Sequence, residues 1–236
     1  YTPYGRSACE KLIEGLRGSG IVIVSGLALG TDAIAHRAAL AAGLTTIAVP
    51  GSGLGEQVLY PRSNLGLAHE ILERGGTLLS EFEENFRATI YSFPRRNRIM
   101  AGMCKAVLVV EASIKSGTLI TSRLATEYNR DVFTVPGSIF SETSGGPHML
   151  LRLGATPITS SSDILDALGI KKGEATPYID DLSPQEKQVY ELLREPLERD
   201  EVGELLTLPS QEITILLSSM ELKGIVRERM GKFERI

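Results

Sequence analysis

The feature that most constrains the fold of this chain is a short aliphatic run followed by a glycine-rich turn and a helical pattern. The clearest example is residues 106–110, Ala-Val-Leu-Val-Val, an unbroken run typical of a strand buried on both faces. Similar runs occupy residues 21–24, 45–49, 77–80, 131–135 and 156–158. Strands that alternate with helices form a parallel sheet with helices on both faces. We therefore predict an α/β fold with a doubly wound, mostly parallel sheet over residues 1–168.

Glycine and proline clusters follow four of these runs directly. They occupy residues 25–30, 50–53, 113–118 and 136–137. The carboxyl ends of parallel strands share one edge of the sheet, and ligands of such folds bind in the crevice there. We expect the four turns to converge on one site.

Two of the turns have the composition of an anion site. The turn with Lys115, Ser116, Gly117 and Thr118 opens a helix, whose N-terminal amides and macrodipole hold phosphate oxygens. It is not a Walker A loop, because GxxxxGK[ST] is absent. The turn with Ser25, Gly26 and Gly30 is expected to contribute its amides in the same way. Such a turn can also serve only to let the helix pack closely.

An arginine cluster supplies most of the candidate cations. Arg95, Arg96, Asn97 and Arg98 lie between an aromatic pair and an apolar segment that leads to the strand at residues 106–110. Charge runs are usually solvated faces, but planar guanidinium groups suit phosphate contacts and base stacking. Arg62 and Asn64, in the segment Tyr-Pro-Arg-Ser-Asn, complete the predicted site. The predicted nucleic-acid-binding residues are Ser25, Gly26, Gly30, Arg62, Asn64, Arg95, Arg96, Asn97, Arg98, Lys115, Ser116, Gly117 and Thr118.

The remaining ionisable residues have simpler interpretations. His36 fits a capping or core position, and His148 fits a packing position. The acidic residues Glu81, Glu83 and Glu84 fit a solvated turn. The chain has three histidines with no common spacing and two distant cysteines, which argues against a metal site and for reduced thiols.

Charge and hydropathy limit the classes of function. The net charge is −4, and residues 1–168 hold as many basic as acidic residues, so any basic face must be local. No apolar run has the length of a membrane span, and residue 1 onward lacks a signal-peptide layout. We expect a cytoplasmic protein without a membrane partner.

The last third of the chain follows a different pattern. Residues 169–182 are predicted to be a polar linker. Residues 183–236 begin with a capping box at Ser183 and Glu186, and continue with three short helices and a hairpin, which predicts a winged helix. The third helix carries Glu212 and Glu221 with only Lys223 near its end, which is unfavourable for reading duplex DNA. A protein-contacting role is at least as well supported.

Several of these stretches together resemble the DNA processing protein A (DprA/Smf) family. The matching segments are SGLALGTDAIAH (25–36), YPRSN (60–64), FPRRNRIMAG (93–102), VVEASIKSGTLIT (109–121), VFTVPGS (132–138) and, more loosely, GPHMLLRLGA (146–155). The resemblance implies an extended Rossmann-like fold that forms a homodimer, binds single-stranded DNA and loads the RecA recombinase during natural transformation. It implies no catalytic activity and no cofactor. The family's Gly-Ser/Thr-Arg motif lies on a first strand that would precede Tyr1.

Two alternatives from other classes remain open. Rossmann enzymes that cleave nucleoside monophosphates carry PGGxGTxxE, of which this chain has only Pro50-Gly51-Ser52-Gly53-Leu54-Gly55-Glu56. A winged-helix transcriptional regulator would prefer duplex DNA.

Overall fold

The structure is a computed structural model that describes residues 1–170, 182–206, 208–223, 225–229 and 231–235. The chain forms two compact units, Tyr1–Lys171 and Lys172–Ile236. The helices of the first unit are α1 Pro3–Glu14, α2 Thr31–Ala41, α3 Leu65–Glu73, α4 Ser92–Met103, α5 Thr118–Glu127, α6 Gly145–Arg152 and α7 Ser161–Ala167. Its strands are β1 Ile23–Ser25, β2 Thr46–Ala48, β3 Thr77–Leu78, β4 Ala106–Val109, β5 Asp131–Thr134 and β6 Thr156–Pro157.

The six strands form two three-stranded sheets in which every pairing is parallel. The strand orders are β1-β2-β3 and β4-β5-β6. In the second sheet, Val107 pairs with Val132 and Leu108 with Phe133. The parallel α/β class predicted from the sequence is therefore confirmed.

Alternate residues of β4 and β5 enter different cores, as the pleat requires. Leu108 and Phe133 pack in a cluster with side chains of α1 and α7. Val107, Val109 and Val132 pack in another cluster with side chains of α5 and α6. Helices thus cover both faces of this sheet, as in a doubly wound fold.

The prediction that β4 is buried throughout is wrong for three of its four residues. Only Val109 is fully buried, and the other three are half-buried. The physical reason is that β4 is an end strand of its sheet.

The end strand β1 of the other sheet contributes Ile23 to the same core cluster as Leu108. The strand expected before Tyr1 stays a prediction.

Helix α4, which carries the arginine cluster, is not predicted by the sequence pattern. It runs in the same direction as α5. Near the C-terminus of α5, Arg130 Nη2 donates a hydrogen bond to the Gly102 carbonyl of α4 at 3.1 Å, and the Tyr128 ring lies beside Gly102. Because β4 leads into α5 from its carboxyl end, the N-termini of both helices lie at the carboxyl edge of the sheets.

The second unit is a winged helix, as predicted. Its elements are α8 Pro184–Leu192, β7 Leu197–Glu198, α9 Arg199–Leu206, α10 Ser210–Leu222, β8 Val226–Arg229 and β9 Lys232–Arg235. The strands pair antiparallel in the order β7-β9-β8. The predicted capping box is confirmed, because Ser183 Oγ accepts from Glu186 N and the Glu186 carboxylate accepts from Ser183 N. These contacts satisfy two amides that a helix start leaves unpaired.

The linker predicted at residues 169–182 lies outside the described residues except at its ends. Within the described ranges, no helix combines the length and the apolar character needed to cross a bilayer.

Candidate nucleic-acid interface

The turn between β1 and α2 is closed by a carboxylate of its own chain. Gly30 precedes the helix with φ +89°, a conformation that favours glycine. Asp32, in the first turn of α2, accepts hydrogen bonds from Gly26 N at 3.1 Å and Ala28 N at 3.2 Å. An anion stabilises a helix N-terminus in this position. Two of the amides that the sequence assigned to phosphate are therefore already occupied.

Asn64 is buried and shapes the same turn. Its Nδ2 donates to the carbonyl oxygens of Leu27 at 2.9 Å and Ala28 at 3.3 Å. Leu27 is fully buried with φ 60°, which costs on the order of 1 kcal/mol for a side-chain-bearing residue. The contacts of Asn64 stabilise that conformation. Ser25, the last residue of β1, is half-buried beside it.

Arg96 is a buried connection between α4 and the carboxyl ends of β1 and β2. It is 5% exposed, and its Nη1 donates a hydrogen bond to the Val49 carbonyl. The guanidinium occupies the space that a Cβ on Gly26 would need. Burial lowers the pKa of Arg96, and the nearby Asp32 carboxylate partly offsets this. Asn97 is also buried.

Arg95 and Arg98 face the loop that follows β3 and share one carboxylate. Arg95 Nη2 lies 3.5 Å from Glu81 Oε2, and Arg98 Nη2 bonds to the same oxygen. Both arginine side chains are largely exposed, whereas that of Glu81 is 17% exposed. The Arg95 guanidinium also lies 5.5 Å from the centre of the Phe82 ring. Glu81 lies in an exposed bend, as the solvated-turn interpretation held, but its carboxylate is also held by two cations.

The loop before α5 is open to solvent. Lys115, Gly117 and Thr118 are exposed, and Ser116 is half-buried. Ser116 Oγ accepts from Thr118 N at 3.2 Å and donates to Thr118 Oγ1 at 3.1 Å. Nothing lies within 4 Å of where a Cβ on Gly117 would be. This loop therefore has open space at the start of a helix, although the amides of Ser116 and Thr118 already donate within the loop, to Ser113 O and Ser116 Oγ.

Arg62 lies in a 3₁₀ turn, Arg62–Asn64, and is exposed. The preceding Tyr60 packs on Phe93 at the N-terminus of α4, with ring centres 5.6 Å apart. Arg62 therefore lies near the N-terminus of α4, at the carboxyl edge of the sheets.

The loop of residues 50–59 is hydrogen-bonded mainly to the segment of residues 80–86. Gly53 N donates to Phe86 O and Gly55 N donates to Glu84 O, both at 2.9 Å. Ser52 Oγ accepts from Tyr60 N, and Ser80 Oγ donates to Ser52 O at 2.7 Å. The amides of Gly53 and Gly55 are therefore not available for the phosphate cradle that the nucleotide-cleaving alternative requires.

His36 is a core histidine, as its default interpretation held. It is fully buried, and the Thr46 hydroxyl donates to Ile23 O, so Nδ1 of His36 donates to Thr46 Oγ1 at 2.7 Å. Burial lowers the pKa of His36 from 6.5 to about 4, so the ring is neutral at neutral pH. His148 is half-buried and donates from Nε2 to Gly137 O at 3.0 Å. Across the described residues, no group of three His, Cys, Asp or Glu side chains is placed to hold a metal ion.

The predicted residues thus divide into two groups. Gly26, Asn64 and Arg96 meet around the first turn and shape it. Arg62, Arg95, Arg98 and Lys115 are exposed at the carboxyl edge. Sequence reasoning did not predict that the carboxylates of Asp32 and Glu81 bond to members of these two groups. The spacing of Asp32 six residues after Gly26, at the start of a helix, is the signal that could have found the first.

The second sheet consists of parallel strands covered on both faces, and glycine turns and a cation-bearing helix follow its strands and those of the first sheet. These features define a Rossmann-type protein with exposed cations at the carboxyl edge of its sheets. The chain belongs to the DNA recombination-mediator protein A family, whose model matches residues 1–169. The DprA winged helix domain model matches residues 173–232.

Individual relatives agree with this assignment. Protein Smf of Escherichia coli is 40% identical over 99% of this chain and 63% of its own length. DNA processing protein DprA of Streptococcus pneumoniae is 46% identical over 68% of this chain and 56% of its own length. The chain therefore spans less than two thirds of either relative.

Two solved structures are similar in fold. The X-ray structure of DprA from Streptococcus pneumoniae has a TM-score of 0.65 and 44% identity, over 70% of this chain and 57% of that one. A structure of DprA from Helicobacter pylori, described for its unique single-stranded DNA binding mode, has a TM-score of 0.63 and 33% identity. That match covers 71% of this chain and 75% of the other.

Proposed function

We propose that this chain is a single-stranded DNA-binding protein that loads a RecA-type recombinase onto incoming strands during natural transformation. It acts in the cytoplasm as a homodimer, by binding and not by catalysis. The predicted α/β domain, residues 1–168, binds the strand.

The observation that carries this proposal is the parallel arrangement of α4 and α5. It brings the N-termini of both helices, with Arg95 and Lys115, to one edge of the sheets. Phosphates spaced along a strand need several cations on one edge, and the helix N-termini add partial positive charge.

The aromatic side chains near these cations favour an unpaired strand over a duplex. The Arg95 guanidinium lies over Phe82, which is itself stacked on Phe86. Tyr60, which packs against Phe93, is exposed. Aromatic and guanidinium planes bind the faces of unpaired bases without reading their sequence. The binding mode described for the Helicobacter pylori protein supports the same ligand.

The recombinase step is supported by the family's description as a recombination mediator. A mediator must hold a strand in a form that a recombinase can take over. The winged helix is the candidate protein-contacting part, because Lys223 at the end of α10 is paired with Glu186 at 2.5 Å. That pairing leaves α10 with little positive charge for a duplex.

The decisive experiment compares two lysines at opposite ends of β4. Lys115 follows the strand at the carboxyl edge, and the exposed Lys105 precedes it at the other edge. We expect Lys115→Ala and Arg62→Ala to weaken binding to an oligo(dT) several-fold. Each should also reduce the slope of log affinity against log salt by about 0.7, the value for one single-strand phosphate contact.

Lys105→Ala is the control and should bind as the unaltered chain does. Duplex DNA of the same length should bind more weakly than oligo(dT). Equal loss for both lysines, or tighter binding to duplex, would contradict the proposed site. Assembly of recombinase filaments on the bound strand tests the recombinase as a partner. Light scattering of the free protein tests the homodimer.

A further inference from the structure

The loop that follows β5 exposes two large apolar side chains at its tip. Ile139 is 80% exposed and Phe140 is 94% exposed. Ile114, in the loop that follows β4, is exposed as well. We propose that these three residues form a base-stacking platform, on which an unpaired base stacks against Phe140 while its phosphates bind at the Lys115 loop. The inference rests on the proposed single-stranded DNA binding and assigns a further part of that site.

The loop that carries the platform is fixed at its base. Tyr4 Oη donates to Pro136 O at 2.6 Å, and His148 Nε2 donates to Gly137 O at 3.0 Å. Ser141 N donates to Ser138 O at 3.1 Å, which closes a turn with Ile139 and Phe140 at its corner. The backbone that carries the exposed aromatic is therefore held in place before a ligand arrives, which reduces the entropic cost of binding.

The platform adjoins the open Lys115 loop. Ala112 N donates to Thr143 O at 2.8 Å, and Gly146 N donates to Ala112 O at 2.7 Å, so the segments after β4 and β5 are bonded together. Ile114 Cγ1 lies 3.1 Å from where a Cβ on Gly145 would be. Lys115 is the next residue in the chain. The apolar side chains and the cation therefore belong to one surface at the carboxyl edge.

The occupant that fits this surface is a nucleobase. A stable protein interface buries about 800 Å² per partner, and an aromatic side chain supplies only about 200 Å². Three apolar side chains are too few for such an interface but match the face of one or two bases. The adjacent ammonium and the hydroxyls of Ser116 and Thr118 suit the phosphates that a base brings with it.

The test compares oligo(dT) with an abasic oligonucleotide of the same length. Phe140→Ala should weaken binding to oligo(dT) about tenfold, the scale of losing one base–aromatic stack, and leave binding to the abasic strand unchanged. The salt slope should stay the same, because no charge is removed. Leu72→Ala is the control, since Leu72 is an exposed apolar residue of α3, which leads to the opposite edge.

A tryptophan reports the contact directly. The chain contains no tryptophan, so Phe140→Trp introduces a single indole, at the platform. We expect this variant to bind oligo(dT) at least as well as the unaltered chain, with its emission quenched by the bound strand and not by the abasic one. It also keeps the test informative if the alanine variant folds poorly.

The outcomes separate this inference from the proposed function. Unchanged oligo(dT) binding by Phe140→Ala, with no quenching of the indole emission of Phe140→Trp, would overturn the platform alone. A change in oligomeric state without a change in strand affinity would overturn it too, and would assign the surface to contacts between copies. If the unaltered chain bound no single-stranded DNA, the proposed function would fail together with the platform.

Discussion

Arg95, Arg96 and Arg98 are near neighbours in the sequence but have different environments. A helix turns about 100° per residue, so positions three apart share a face and adjacent positions do not. Arg95 and Arg98 therefore both reach Glu81, whereas Arg96 points into the molecule and reaches Val49 O. Sequence reasoning grouped the three arginines because no helix was predicted there. Without a helix, the sequence does not show which of them face the same way.

This division predicts different stability effects within the cluster. Arg96→Ala leaves the buried Val49 carbonyl without its donor and should lower the free energy of unfolding by about 2 kcal/mol. Arg95→Ala should change it by less than about 0.5 kcal/mol, as expected of a surface site. Urea unfolding measures both. Equal effects of the two substitutions would contradict the buried role of Arg96.

His36 predicts a pH dependence of stability. Its pKa in the folded chain is lowered to about 4, by burial first and by Arg96 to a lesser degree, although Asp32 and Ser25 oppose the shift. The unfolded chain, with an ordinary pKa of about 6.5, binds the proton more tightly. The contribution of His36 to the free energy of unfolding is therefore fully present above pH 6.5. As the pH falls toward 4, this contribution is lost, and the free energy of unfolding falls by roughly 3 kcal/mol. Urea midpoints across this range should show the loss.

Substitution separates this contribution from those of the other titrating groups. In His36→Gln the component between pH 4 and 6.5 should disappear. A His36→Gln profile that still falls by the same amount would assign the loss to other residues.

At the scale of the elements, the strands and glycine turns could be predicted, whereas helix α4 could not. Aliphatic runs such as residues 106–110 are recognisable because strand cores are apolar. The buried positions of α4 are Ser92, Arg96, Asn97 and Ala101, spaced as in a helix but mostly polar. A search for apolar periodicity therefore finds nothing there. The partners that satisfy these polar groups, such as Val49 O, are distant in the sequence.

The contact between α4 and the loop after β3 predicts an effect on affinity. Glu81 neutralises Arg95 and Arg98 and repels an approaching phosphate. Glu81→Gln should therefore tighten binding to oligo(dT) by about three- to tenfold and make the salt dependence steeper. Fluorescence anisotropy at several salt concentrations measures both quantities.

Glu83→Gln removes the same charge from the same loop and is the matched control. It should have a smaller effect, since Arg95 and Arg98 bond to Glu81. Weaker binding by Glu81→Gln than by Glu83→Gln would show that the carboxylate positions the arginines for DNA and does not compete with it.

At the scale of the whole molecule, all of the proposed DNA contacts lie in the first of the two units. The exposed cations Arg62, Arg95, Arg98 and Lys115 all lie in Tyr1–Lys171. A chain that ends after residue 170 should therefore bind oligo(dT) within about fivefold of the full chain, a difference of about 1 kcal/mol. Lys115→Ala should weaken the shortened chain as much as the full one. A larger loss on truncation would give the winged helix a direct part in strand binding.

The carboxylate of Asp32 keeps the turn after β1 hydrogen-bonded when no ligand is present at the carboxyl edge. A loop that depends on a foreign phosphate to pair its amides loses that pairing when the phosphate departs. Here Gly26 and Ala28 keep their acceptor, because it is built into α2. Under the proposed function, successive strands would arrive and leave without any remodelling of this turn, and the exposed cations of the carboxyl edge would set the residence time of each strand.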